Sequence, residues 1–471
     1  MSLTSLDPII NLAKRRGFVF PSAEIYGGTG GIWDYGPLGV LLKNNIKNEW
    51  WKAVIQRRSD MVPLDSAIIT KHDVLKASGH VDTFTDPLVE CKNCHTRYRA
   101  DKPPFDLPGN VSEKDVDAVA KITSINCQHC GKSVWTPPRR FNMMFKTNLG
   151  PVDSEEAIVY LRPETAQGIF TNFKNILEVS RKKLPFGIAQ IGKAFRNEIQ
   201  TGNFIFRDRE FEQMEIEYFV APEDSIRAHE AWVGERENWY LDLGMKKDNI
   251  RIREHEEHER AHYAKSASDI EYNFPGIGFS ELEGIANRGD YDLMAHQMAS
   301  GREMTYFDDT TGDKFVPYVI EPSAGLDRAV LAFLCDAYTE YPDGRQGSSE
   351  NSPSEVGNPK DQNESETVLH LHPKLAPYKV AILPLMKKEG MAELALSVAQ
   401  DLRQSFTVTY DESASIGRRY RRQDEIGTPW CVTIDFDSLA DQTVTIRDRD
   451  TMAQRRVAIK ELETVIRSLL T

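Results

Sequence analysis

Residues 195–219 read FRNEIQTGNFIFRDREFEQMEIEYF, setting arginines, carboxylates and phenylalanines side by side on what reads as two strands of a hairpin. Side chains alternate faces along a strand, so Arg196 and Glu198 point the same way on the first arm. On the second arm Arg207, Arg209, Phe211, Gln213, Glu215 and Glu217 share one face, while Met214, Ile216 and Tyr218 occupy the apolar other. A solvated sheet face laced with ion pairs is the plain alternative, but such a face does not need the embedded ring. Basic residues, an aromatic and then acids suit a ligand that is anionic, flat and cationic in turn. The chemistry on offer is electrostatic. Fixed guanidiniums draw anions together and stabilise charge gathering on a phosphate, with no covalent nucleophile from the protein.

A second set of residues is built for chelation. CKNC and CQHC place Cys91, Cys94, Cys127 and Cys130 in two pairs, each with the two-residue spacing that lets thiolates hold one ion. A tetrahedral zinc site made of all four cysteines is the natural reading, and a structural one, since four thiolates leave no open position. Reduced cysteines without metal are the alternative, and His95 and His129 lie beside the pairs as substitute ligands. The remaining cysteines, Cys335 and Cys431, stand alone in apolar contexts.

Other tempting patterns say less. REHEEHERAHY puts His255, His258 and His262 on one helical face, but position 259, where a zincin needs its second histidine, is Glu259. A solvated charged helix is the better reading. GGTGG at 27–31 lacks a Walker ending and reads as flexible backbone near a substrate or as a plain turn. GRRYRRQDE gathers Arg418, Arg419, Arg421 and Arg422 around Tyr420 in a chain of net charge −13, which points to a focused RNA contact rather than a solvated face.

The elements that must position these groups can be read coarsely. A chain of 471 residues, 40% hydrophobic and 27% charged, has room for two to three domains. GPLGVLLKNNIKNEWWKAVI from Gly36 predicts a long helix and MVPLDSAII a strand, with the cysteine-bearing insertion at 88–140. FGIAQIGKAFR and REFEQMEIEYFV are strands, 223–265 a helical insertion, PGIGFSELEGIANRGDYDL strand and turn, and PSAGLDRAVLAFLCDAYTEY a buried helix. Residues 342–367 hold almost nothing apolar and read as a flexible linker before a small α/β domain at 368–471. No apolar run approaches the ~18 residues of a membrane span, and the first residues do not look like a signal peptide, so a soluble cytoplasmic protein is expected.

FRNE…FRDREFEQME closely resembles motif 2 of the class II aminoacyl-tRNA synthetases, in the glycyl version of the single-chain homodimeric type. GGTGGIWDYGPLG, HDVLKASGHVDTFTD, LRPETAQGIF, GFSELEGIANRGDYDL, EPSAGLDRAVLAFL, KLAPYKVAILPL and SIGRRYRRQDEIGTPWCVTID extend the resemblance, in order, over nearly everything except 88–140 and the linker. It implies an α+β catalytic domain at 1–341 with an antiparallel sheet and a zinc-ribbon-like insertion, followed by a C-terminal α/β anticodon-binding domain. It also implies a homodimer, tRNA(Gly) as partner, ATP and glycine as substrates, Mg²⁺, structural Zn²⁺ and no membrane.

Residue by residue, the resemblance makes Arg196, Glu281 and Arg328 catalytic. Arg196 would grip the α-phosphate and the glycine carboxylate, Glu198 the adenine amino group, and Phe211 would stack on adenine. Arg328 would lie near the γ-phosphate and the other purine face, with Glu281 a Mg²⁺ ligand. Asn197, Phe206, Arg207, Leu282 and Gly325 complete the ATP site. The glycine pocket would take Arg99, Glu164, Phe211, Glu212, Gln213, Met214, Glu215, Glu321, Pro322, Ser323, Ala324 and Gly325. Arg418, Arg419, Arg421 and Arg422 would bind tRNA. Carboxylates crowding the α-carbon would leave no room for a methyl group, so an editing domain is not required. Two other readings keep the scaffold: a ligase adenylating another small acid, and a non-catalytic nucleic-acid-binding relative. The joint presence of Arg196, Phe211, Glu281 and Arg328 favours an enzyme.

Overall fold

The computed structural model describes residues 3–470 except 110, 113, 152–153, 257–264, 346–364 and 389. A central sheet contains β1 (Met61–Pro63), β2 (Phe186–Phe195), β3 (Glu210–Val220), β4 (Ile250–Glu254), β5 (Ser266–Phe274), β6 (Gly278–Gly289) and β7 (Tyr318–Gly325). Their order is β4–β5–β6–β7–β3–β2–β1, antiparallel throughout except for β1 alongside β2. The hairpin is β2–β3, in register from Phe186 opposite Phe219 to Phe195 opposite Glu210.

Five helices flank the sheet: α1 (Pro37–Trp51), α2 (Ala166–Ser180), α3 (Ser225–Asp242), α4 (Tyr291–Ser300) and α5 (Leu326–Ala337). On one face Met214, Ile216, Leu282, Ile320 and Ala324 join α1, α3 and α5 in the main core. Every residue of α5 except Arg328 is buried, so this helix fills the space between sheet and α1. A Cβ at Gly39 would collide with the carbonyl of Phe18, and glycine is what lets α1 seat there. On the other face Phe186, Phe219 and Val319 pack under α2 and α4. Beyond that cover the face lies open as a cleft.

Several elements differ from expectation. The segment 223–265 is not a helical insertion: α3 stops at Asp242 and Ile250–Glu254 is the edge strand of the main sheet. Ile250 is buried there while Arg251 and Arg253 reach Glu271 and Asp269 of β5, a period of two that the charges disguise. His258 and His262 lie outside the described residues. MVPLDSAII breaks into β1 and Ile69–Lys71, which pairs with Ile158–Leu161. The turn read after β6 opens α4, and PSAG ends β7 rather than starting a helix.

In the insertion, Thr85–Glu90 pairs with Arg97–Arg99 on one side and Arg139–Asn142 on the other, over a small core of Val89, Tyr98, Phe105 and Trp135. Towards the C-terminus, β8 (Val380–Pro384), β9 (Val408–Tyr410), β10 (Trp430–Ile434), β11 (Thr443–Asp448) and β12 (Gln454–Ala458) order as β9–β8–β10–β11–β12. They pack with α6 (Met391–Leu402) and α8 (Leu462–Leu470); between them runs α7 (Ile416–Ile426), a helix the sequence reading missed. Arg15 and Arg16, at the end of an N-terminal helix Asp7–Arg16, both bind Glu425 of α7. Arg345 adds ion pairs to Glu366 and Asp424. Most of the polar stretch 342–367 lies outside the described residues, but its end is a strand, Glu366–Leu369, paired with Tyr338–Tyr341.

Candidate active site

The cleft encloses about 600 Å³ between the β2–β3 hairpin, β6, β7 and the start of α5. Phe211, Gln213 and Glu215 project into it from β3 by the alternation expected of a strand. Arg209 does not continue that row, because β3 begins only at Glu210, whereas Arg207 lines the cleft from outside the strand. Arg209 turns away to donate to the carbonyls of Glu198 and Gly30, and its amide donates to Gly31 O at 2.8 Å. The GGTGG segment is thus bound to the hairpin loop. Gly31 has φ +69°, and a Cβ there would strike Thr201.

At the basic end, Arg196 follows β2 directly. Its Nε donates to Pro163 O at 3.0 Å, and its guanidinium carbon lies 5.4 Å from the ring centroids of both Phe84 and Phe211. Arg207 Nη2 stands 2.9 Å from Glu198 Oε2. From α5, Arg328 donates to the carbonyls of Phe206 and Glu281 at 3.1 and 3.0 Å and stacks over the Phe206 ring at 4.8 Å. Glu281, its carboxylate 3.2 Å from Arg328, remains largely exposed. Asp327 anchors this end, accepting from Lys43 at 2.8 Å, from Tyr35, and from the Glu212 amide at 2.8 Å. Burial pushes the Asp327 carboxyl up, but the Lys43 ammonium, the Tyr35 hydroxyl and the Glu212 amide together hold it below its usual range.

The opposite end is acidic and buried. Glu215 accepts from Ser323 Oγ at 2.8 Å and from the Thr165 hydroxyl. Glu164 lies 3.3 Å from His80 and accepts from Gln167 at 3.0 Å; despite burial, His80 holds its carboxyl well below the ordinary value. Arg288 is shared: one side grips Asp292 at 2.7 and 2.9 Å, and Nη1 reaches both oxygens of Glu321 at 3.0 and 2.9 Å. Burial still pushes Glu321 up to about 8, with Glu215 and Glu164 adding to it against Arg288. The sequence reading passed over Arg288 and Asp292. Their i, i+4 spacing in NRGDYDL was visible, and a row of buried acids demands such a cation.

Arg196, Glu198, Phe206, Arg207, Phe211, Gln213, Glu215, Glu164, Glu281, Glu321, Ser323, Gly325 and Arg328 all line the cleft. Seven expected residues do not. Met214, Leu282 and Ala324 belong to the core on the opposite face, and Pro322 is buried beside them by the same alternation. Glu212 points to Lys43 and Lys47 behind the sheet. Asn197 and Arg99 are also absent from the lining: Asn197 is tied through its amide to Met143 O, and Arg99 is paired with Asp86 and Asp101.

Cys91, Cys94, Cys127 and Cys130 converge, with all four sulfurs within 4.8 Å of one another and both Cys91–Cys130 and Cys94–Cys127 at 3.6 Å. Tetrahedral zinc with bonds of about 2.3 Å requires sulfurs about 3.8 Å apart, so the set fits that ion. On α7 the arginines divide. Arg418 is exposed and Arg421 half-buried, whereas Arg419 is buried and donates to the carbonyls of Pro384 and Leu385. Arg422 is held by Asp411, and Tyr420 packs under Arg447 with its hydroxyl on Thr433, so Tyr420 is no open platform for a base. Arg419 is a structural residue.

Family models match residues 139–337 as the tRNA synthetase class II core domain (G, H, P, S and T) and residues 379–469 as an anticodon binding domain. The glycine--tRNA ligase of Thermobifida fusca is 52% identical over 98% of this chain and 96% of its own length. That of Bifidobacterium longum is 53% identical over 98% of this chain and 92% of its own. A prolyl-tRNA synthetase structure from Cryptosporidium parvum, complexed with L-proline and AMP, aligns with a TM-score of 0.61 at 15% identity. It covers 98% of this chain and 74% of that one, a likeness of fold. Sheet, cleft and C-terminal domain together define a class II aminoacyl-tRNA synthetase. Within that class, the chain belongs to the glycine--tRNA ligase family.

Proposed function

We infer that this chain ligates glycine to tRNA(Gly), activating glycine with ATP to glycyl-adenylate and diphosphate, then passing it to the tRNA 3′ end with release of AMP. The observation that carries this is near full-length identity above one half to glycine--tRNA ligases. The cleft supplies the chemistry. Arg196 spans the α-phosphate and the glycine carboxylate, reducing their repulsion and fixing the line of attack. Adenine lies on Phe211 with Arg328 over its other face and Glu198 at its amino group; Phe206, Arg207 and Gly325 border it. Mg²⁺, when bound, adds counter-charge on the phosphates, with exposed Glu281 as its ligand.

Glycine's ammonium is received by Glu164, Glu215 and Glu321. Ser323 and Gln213 occupy the space a larger side chain would need, so rejection is by size, which a buried wall does far better than it detects a missing methylene. Arg418 and Arg421, on the outer side of α7, meet the anticodon loop. The decisive measurement is amino-acid-dependent ATP–pyrophosphate exchange with all twenty amino acids, followed by charging of total tRNA. Glycine alone should respond. The Arg418→Ala/Arg421→Ala pair should lose at least about tenfold in charging while exchange survives; equal loss of both would refute this division of labour.

The four thiolates would hold a structural zinc ion that fixes the sheet presenting Arg99. Cys94→Ser should empty the site, read by metal analysis, and raise the glycine KM several-fold as the Arg99–Asp86–Asp101 cluster loosens; zinc loss with an unchanged KM would separate metal from substrate. A cytoplasmic homodimer is the working form this reading expects, and sedimentation would test it. Among the described residues no helix is long and apolar enough to cross a membrane.

A further inference from the structure

One step deeper than Glu215 along β3, Glu217 is fully buried, and neither of its carboxylate oxygens has a hydrogen-bond partner among the described residues. One oxygen from each of Glu215, Glu217 and Glu321 lies within 4.8 Å of the others. Among the described residues, the neighbouring elements bring no uncommitted cation to this cluster. From β2, Ile188 stands opposite Glu217, and Gln190 accepts from Ser66 through Oε1, while its buried Nε2 donates to no group among the described residues and so does not reach Glu217 either. From β6, Arg288 is divided between Glu321 on β7 and Asp292 on α4. His80 serves Glu164, and His296 of α4 lies 2.9 Å from the side-chain oxygen of Gln167 on α2.

The carboxylates of Glu215, Glu217, Glu321 and Asp292 therefore face Arg288, and Glu215 also feels the charge of buried Arg162, whose guanidinium donates to Lys193 O at 2.6 Å and Ser66 O at 2.8 Å. Like-charged acids this close and this dry do not all ionise, and a bare buried carboxylate without a donor is among the costliest groups a fold can hold. A proton shared among them supplies the missing donor. We propose that the glycine pocket, when empty, stores a proton among Glu215, Glu217 and Glu321, and that the ammonium of arriving glycine expels it to solvent. The bookkeeping is simple. One carboxylic O–H ionises, the proton passes to the buffer, and glycine keeps its own three ammonium protons while bringing the compensating charge. Glu217 acts through its neighbours as a positioning residue and does not touch substrate. Burial raising the carboxyls of Glu217 and Glu215 agrees with this.

The proposal rests on the glycine pocket assigned above, and its test separates the two. Glycine is titrated calorimetrically into the full-length protein in phosphate, Hepes and Tris at one pH near neutrality. The heat should vary linearly with buffer ionisation enthalpy, with a slope of roughly one proton released per glycine. Wild-type affinity should correspondingly tighten as pH rises, by up to about tenfold per unit where release is complete. Glu217→Gln, isosteric with the protonated acid, should bind glycine more weakly with a slope near zero and a flat pH dependence. Measurable wild-type binding with no buffer dependence, or a full slope retained in Glu217→Gln, would overturn the proposal. So would a buffer-independent heat suppressed by added Ca²⁺, which would mean a resident cation instead. If the variant does not fold, the wild-type buffer and pH series decides alone. No glycine binding at all, with alanine and serine equally silent, would overturn the pocket reading and this inference with it.

Discussion

Arg196→Ala is expected to lower glycine-dependent ATP–pyrophosphate exchange by at least about 10³-fold in kcat, the scale on which losing one pre-aimed donor to a developing charge is felt. Two anions must meet for adenylate to form, and the function proposed above places them at this guanidinium, which is held by the Pro163 carbonyl and by the rings of Phe84 and Phe211. Arg196→Lys should recover little, because a point charge on a flexible stem cannot bridge two oxygens from a planar fork. Stability should change by less than about 1 kcal/mol, since the side chain is only partly buried and anchors no core. Exchange within tenfold of wild type would remove Arg196 from the chemistry.

The second large effect is on folding. Arg288→Met keeps the volume but leaves the carboxylates of Glu321 and Asp292 buried without their cation, beside Glu215 and Glu217. Removing one partner of a buried pair costs about 3–5 kcal/mol. The variant should show that deficit in urea unfolding near pH 8. The stranded acids then have folded-state pKa values above their unfolded ones, so they bind more protons in the native state. Stability contributed this way is fully present below the unfolded value of about 4.3 and is lost as pH rises. The deficit should therefore shrink towards pH 5. A deficit equal at both pH values would mean that Arg288 is held by packing rather than by charge.

What could be read from the chain, and what could not, follows from the range of the interactions involved. The hairpin was legible because period-two alternation is local, and Phe211, Gln213 and Glu215 do share the cleft face. The same rule, applied strictly, would have sent Glu212, Met214, Pro322 and Ala324 to the back, where they lie; carrying whole motifs over from a family obscured it. The cysteine cluster was legible because its two short spacings each fix half of a tetrahedron. Arg288 was not singled out, because its purpose appears only when β3, β6, β7 and α4 bring their acids together. Arg419 was misread for the opposite reason. A run of arginines looks alike in sequence whether each meets solvent or a carbonyl, and helix α7 separates them only once it is packed.

That same helix is grasped from behind. Arg15 and Arg16 reach Glu425 from the helix Asp7–Arg16, which packs into the main core, and Arg345 reaches Asp424. A surface that meets one end of an RNA is thereby braced against the body that handles the other end, so the span between the two is set by the protein and not by the slack of a tether. Such a frame works as a caliper: an RNA of the wrong length between its anticodon and acceptor tips would fail to touch both jaws at once, whatever its bases.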